Sequence, residues 1–208
     1  MTIALTFDDG PNTTITPQVL DLLEKYHIPA SFFLIAQNIS DSSARMVERA
    51  VKLGCEINNH SVTHRPMSRM SADEVREEIV PCTEAIKKIT GKAPRFFRPP
   101  FIDVSPELHD RVELPFICGK NCLDWEPSVS YEQRVDMLLD HVEDGDLILL
   151  HDMPGNVNTV EALKVLIPEW QKRGVSFATC SGLFEEKGIT PVRGRLYSNV
   201  MQTGYRID

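Results

Sequence analysis

The sequence predicts an α/β protein, a deformed or incomplete (β/α) barrel with a core of parallel strands. Three observations predict it. Short β-rich runs alternate with helix-periodic stretches along the whole chain, the pattern of βα units and a parallel sheet. About seven or eight such units can be counted, yet 208 residues lie at the low end for a full eight-fold barrel. Polar residues recur where the apolar runs stop: Asp8-Asp9, His60 with His64, Arg98, Asp124-Trp125 and His151-Asp152. In a barrel the C-terminal strand ends share one face, and active sites form there. These residues are therefore expected to converge.

The elements follow in order. Residues 3–7 are a short apolar run that ends in Asp-Asp-Gly-Pro, a strand meeting a turn. A helix opens at Thr16-Pro17, with Pro17 suited to its first turn, and carries the stripe Val19, Leu20, Leu22, Leu23 and Tyr26. Residues 30–35 form the second strand, and a helix over 42–53 is ended by Gly54. A third strand over 55–59 leads into His-Ser-Val-Thr-His. A long helix spans 71–89, where Ser71 and Glu74 have capping-box spacing and Gly91 closes the helix. The fourth strand is placed at 95–97, a brief helix at 105–112, and short strands at 116–118 and near 122–123. A helix covers 131–142, residues 146–150 read as a buried strand, a helix spans 159–173, and 175–179 is the last strand. From Gly188 onward the chain reads as irregular and is expected to pack over the barrel. No linker or repeat divides residues 1–208, so a single catalytic domain is expected.

Composition narrows the function. A formal charge of −8 and a pI near 5.3 argue against nucleic-acid binding, which draws on clustered Lys and Arg, and fit a neutral substrate. The cysteines (Cys55, Cys82, Cys118, Cys122, Cys180) are irregularly spaced and read as small buried hydrophobes rather than a disulfide framework. No apolar run is long enough to span a membrane. No signal peptide is recognised, so either a cytoplasmic protein or a module of a longer secreted chain is expected. A monomer is expected.

A domain of this size needs no structural metal, so a metal signature points to catalysis. His60 and His64 are four residues apart, which on one face of a helical turn would grip one ion. A carboxylate such as Asp9 completes a His₂-Asp set with open positions. Two adjacent carboxylates suggest two jobs, one binding metal and the other taking a proton, although Asp-Gly-Pro is also ordinary turn chemistry. Arg98 reads either as a surface residue in a Pro-rich turn or as a two-pronged partner of Asp8. The prolines after it would fix the backbone N–H of Phe101 as an oxyanion donor. His151, ending a wholly apolar run, reads as a core histidine or a general acid paired with Asp124. Trp125 and Leu150 are expected to wall a small apolar pocket, and Trp125 suits the core equally well.

Together the motifs resemble those of the NodB-homology polysaccharide deacetylases, carbohydrate esterase family 4. Residues 6–11 (TFDDGP), 60–64 (HSVTH), 98–101 (RPPF), Asp124-Trp125 and 149–152 (LLHD) resemble the five motifs of that family in order, across about residues 2–186. The resemblance implies a deformed (β/α) barrel, with zinc or cobalt on Asp9, His60 and His64. It implies Asp8 as base, Arg98 as its orienting partner, His151 as acid and Asp124 as the partner of that histidine. Phe101 stands where the family more often has tyrosine, which leaves its N–H and removes a hydroxyl. Stretches 100–106 and 121–128 look most like the bacterial acetylxylan esterase branch. The implied substrate is acetylated xylan, with N-acetylglucosamine of chitooligosaccharide or peptidoglycan as the alternative. A non-catalytic carbohydrate-binding barrel fits less well, because no ligand or base residue is missing.

Overall fold

The structure is a computed structural model that describes residues 1–202 and the backbone of residues 205–206. Its strands are β1 (Thr2–Asp8), β2 (Ser31–Leu34), β3 (Glu56–Asn59), β4 (Phe116–Ile117), β5 (Leu147–His151), β6 (Ser176–Phe177), β7 (Arg195–Tyr197) and β8 (Tyr205–Arg206). Its helices are α1 (Thr16–Tyr26), α2 (Asp41–Lys52), α3 (Ala72–Thr90), α4 (Pro106–Arg111), α5 (Tyr131–Leu138), α6 (Val157–Lys172) and α7 (Cys180–Glu186).

The central sheet is parallel in the order β3–β2–β1–β5, and β6 also pairs with β1. Single bridges carry the curve onward, from Asn59 to Phe97, from Phe97 to Phe116 and from Lys120 to Ile148. Regular ladders thus make only part of the circuit, as a deformed barrel requires. β7 joins β4 in parallel and β8 runs antiparallel to β7.

β1 is buried along its whole length, as expected of a strand covered on both faces. Its alternation sorts the side chains. Ile3, Leu5 and Phe7 join the large cluster under the helices, while Ala4 joins the smaller cluster inside the barrel. Asp8 shares the parity of Ala4 and so points inward at the C-terminal end. β5 obeys the same rule: Ile148 and Leu150 pack under the helices, and Leu147 packs inside. His151 therefore points inward beside Asp8, its partner in the ladder.

Several sequence expectations are corrected. Residues 95–97 supply one bridging residue, Phe97, rather than a strand, because the N–H groups of Arg95 and Phe96 both donate to Asn58 Oδ1 at 3.1 Å. Residues 122–123 form no strand: Leu123 has a φ of 54° and its carbonyl accepts from Glu126 N–H, which opens a turn over residues 123–126. The helix expected to reach 142 stops at Leu138. The last strand shrinks to β6, since Thr179 caps α7 with its side chain. The stretch expected to be irregular after Gly188 contains β7. The Ser71–Glu74 capping box forms as expected, with Gly91 left-handed at the helix end. All five cysteines are free.

Candidate active site

Asp9, His60 and His64 come together at the C-terminal strand ends. Asp9 Oδ1 lies 3.5 Å from His60 Nε2 and 3.4 Å from His64 Nε2. That oxygen is buried and makes no hydrogen bond. The spacing matches the roughly 3.3 Å edge of a tetrahedral site with bonds of about 2.0–2.1 Å. His60 Nδ1 lies 2.6 Å from the Arg98 carbonyl, which can only accept, so His60 Nε2 presents its lone pair to the cluster. Burial holds the His64 pKa below its ordinary value, which favours the neutral imidazole that binds metal. Burial disfavours the Asp9 anion, but the neighbouring histidines outweigh it and leave its pKa lowered. An orphaned carboxylate oxygen between two free imidazole nitrogens is a donor set that fits a divalent cation.

The histidine spacing works differently from the helical turn expected. Ser61 and His64 have φ values of 72° and 60°, so the segment is an irregular loop with two left-handed residues. Backbone hydrogen bonds hold it in shape. Ser61 N–H donates to Asn59 Oδ1 at 2.8 Å, and His64 N–H to Ser61 Oγ at 3.1 Å. Val62 and Thr63 N–H both donate to Glu78 Oε2, at 2.9 and 2.8 Å. Thr63 Oγ1 and Arg65 add bonds to Glu78 Oε1.

Asp8 is buried, with Oδ2 3.6 Å from His60 Nε2. Arg98 is fully buried, which excludes the surface reading. The expected two-pronged contact with Asp8 is a single one, from Nη1 to Oδ1 at 2.5 Å. Its other donors are taken by Thr6 Oγ1 and the carbonyls of Ile117 and Cys118, and its plane lies over the Phe33 ring. Arg98 thus locks the orientation of Asp8 and, through its carbonyl, that of His60.

Across the site, Asp124 is fully buried and accepts from His151 Nδ1 and from His151 N–H, both at 2.7 Å. Burial disfavours the His151 cation, but Asp124 outweighs it and the pKa is raised to about 9. Behind this pair, Asp152 Oδ2 accepts from Thr16 and its Oδ1 is orphaned. Burial pushes the Asp152 pKa up to about 7.

A cleft of about 510 Å³ opens over these groups. Asp8, Asp9, His60, His64 and His151 line it, with Phe101 and Trp125 as partly exposed walls. Phe101 packs against His64 with ring centroids 4.6 Å apart and the planes tilted by 54°, and Trp125 meets the His151 ring edge-on. Leu150 is not on this wall. It faces the helices, and strand parity puts Leu149 there instead, with Met153. Glu78, Arg134, Asn156 and Thr159 were not singled out by motif reasoning. A signal existed for two of them: Glu78 and Arg134 are charged residues on the buried stripes of α3 and α5.

Residues 1–113 match the family model described as polysaccharide deacetylase. The chain is 49% identical over 199 residues to a bifunctional xylanase/deacetylase of Pseudobutyrivibrio xylanivorans, an alignment covering 95% of this chain and 33% of that protein. It superimposes with a TM-score of 0.93 and 44% identity on the Xyl-CE4 domain of a multidomain xylanase from the hindgut metagenome of Trinervitermes trinervoides, covering 96% and 97% of the two chains. It superimposes equally well, at 41% identity and with coverage of 97% and 100%, on a family 4 acetyl xylan esterase from Clostridium thermocellum solved with a cobalt ion. The match to a family model over more than half of its length, together with these alignments, establishes that the chain belongs to the polysaccharide deacetylase family, an enzyme family of deacetylases and esterases.

Proposed function

We propose that residues 1–208 act as one catalytic domain that hydrolyses the O-acetyl esters of xylan, with a divalent cation held by Asp9, His60 and His64. The observation that carries this reading is the opening of three differently equipped groups onto one cleft: the Asp9–His60–His64 cluster, the Asp8–Arg98 pair and the Asp124–His151 pair. The xylan assignment draws its support from the relatives above, whose names attach them to xylan. Zinc and cobalt are the ions proposed. We place the domain in a longer, secreted chain that acts as a monomer on an acetylated polysaccharide, without nucleic acid or membrane. No helix of the described residues is long and apolar enough to cross a membrane.

The residue roles follow from the geometry. When bound, the cation polarises the acetyl carbonyl and makes water a better nucleophile. Asp8, held by Arg98 through Oδ1, takes a proton at Oδ2 from the attacking water. Phe101 N–H donates to the carbonyl oxygen as charge develops on it. His151, with Nδ1 committed to Asp124, delivers the proton on Nε2 to the departing sugar oxygen as its bond to the acyl carbon breaks. Trp125, Leu149 and Met153 shelter the acetyl methyl.

Acetate release from acetylated xylan and from N-acetylglucosamine oligomers, measured in parallel with and without a chelator, tests this. Chelator-sensitive release from xylan is expected. Release from the amino sugars alone keeps the roles and moves the substrate to N-acetyl groups. No release from either, with metal loaded, overturns the reading.

A further inference from the structure

Arg134 is a buried cation with no part in the chemistry above. It lies on α5, 1% exposed, and its hydrogen bonds go to neutral acceptors: Asn156 Oδ1 at 2.6 Å, Thr159 Oγ1 at 2.7 Å, and the carbonyls of Val129 and Glu126. Burying a guanidinium is costly unless a negative charge compensates it nearby. The compensating charge lies one side chain further on. Thr159 Oγ1 donates to Asp124 Oδ2 at 2.8 Å, and Asn156 Nδ2 donates to the same oxygen at 3.3 Å and to the His151 carbonyl at 2.9 Å.

A guanidinium can only donate, so it sets the direction of everything beyond it. The amide oxygen of Asn156 is committed to Arg134, which turns the NH₂ group toward Asp124 and His151. A lone pair of Thr159 is likewise committed, which turns its O–H toward Asp124. With His151 N–H, Asp124 Oδ2 receives three donors and has no room for a proton of its own. Oδ1 is left as the acceptor for His151 Nδ1–H. The bonds run one way, from cation through amide and hydroxyl to carboxylate, with the imidazole donating from the other side.

We propose that Arg134 is a positioning residue for proton delivery: acting through Asn156 and Thr159, it fixes the polarity of the hydrogen bonds to Asp124 and so presents His151 to the cleft in one orientation. The consequence for the reaction rests on the role proposed above for His151.

The charged groups facing His151 are Asp124 from the β4–α5 segment, Asp8 and Asp9 from β1 and its loop, and His64 from the loop after β3. Asp124 and Arg134 both act, in opposite directions, on the Cys122 thiol, whose pKa burial pushes up to about 12. Arg134 opposes a second positive charge on His151, and the Thr159 donor weakens Asp124 as an acceptor. Removing either tightens the hold of Asp124 on the His151 proton.

The test uses the whole chain loaded with zinc, which is diamagnetic, and follows His151 by NMR titration beside the pH–rate profile for acetate release. Arg134→Met, and the nearly isosteric Thr159→Val in case the first folds poorly, should move the His151 titration upward by about half a pH unit or more. The alkaline limb of the rate profile should move upward with it. Arg134→Lys, which keeps the charge, should stay near the parent. A packing defect lowers the rate at every pH and does not extend activity to higher pH. An unchanged His151 titration in both Arg134→Met and Thr159→Val overturns the proposal. A shifted titration with an unshifted rate profile leaves the polarity argument standing and removes His151 as the acid.

Discussion

Asp8 and Asp9 are adjacent in sequence, yet their partners differ completely. Asp8 Oδ1 is held by Arg98, whereas Asp9 Oδ1 has no hydrogen bond and sits between two imidazoles. Asp8→Asn should therefore keep metal affinity, read by calorimetric titration, and lose roughly 10²–10⁴-fold in rate; a variant near the parent rate would remove Asp8 as base. Asp124→Asn gives the pH-dependent counterpart. Against the opposing effect of burial, Asp124 raises the His151 pKa, so its loss should lower that pKa and move the alkaline limb of the rate profile downward. That direction is opposite to the shift expected of Arg134→Met. The convergence of these residues was legible in the sequence because each ends an apolar run. Leu150 was misassigned because a run of four apolar residues carries no alternation from which its facing could be read. Arg134 and Glu78 escaped notice because neither ends an apolar run; each is a lone charge on the buried stripe of a helix.

The loop after β3 carries His60 and His64 at its ends, so it is the element on which the metal affinity proposed above would depend. It holds left-handed residues at positions 61 and 64, and Glu78 of α3 binds two of its backbone N–H groups. Glu78→Gln replaces one acceptor oxygen with an amide that cannot accept, so at least one buried donor loses its partner. Zinc affinity should fall about tenfold or more while the helical circular dichroism is retained; unchanged affinity would assign Glu78 to the fold alone. Helices with caps, such as α3, were legible almost to the residue. The strands were less so. At 95–97 the Asn58 side chain takes the hydrogen bonds a neighbouring strand would supply, and at 122–123 a left-handed Leu123 makes a turn. Neither event leaves a mark in hydrophobic periodicity.

For the whole molecule, the parallel core is apolar and continuous from β1 outward, so folding has no need of the cation. Chelation should abolish turnover yet leave a cooperative melting transition, its midpoint lowered only by the lost binding energy; a chain that unfolds on chelation would make the metal structural. The site itself is assembled from both ends of the chain, and at one point they nearly touch. A Cβ on Gly10, beside the metal-binding Asp9 proposed here, would lie 2.7 Å from Asp152 Oδ2 and 2.8 Å from Oδ1. A side chain at position 10 therefore requires a smaller or displaced one at position 152. Gly10→Ala should lower the melting temperature sharply in the parent and much less in an Asp152→Ala background. Equal losses in the two backgrounds would show that the pair is uncoupled. Among natural relatives, a side chain at position 10 should appear only where position 152 has become smaller, a covariation between the two halves of the chain that follows from the space one hydrogen atom occupies.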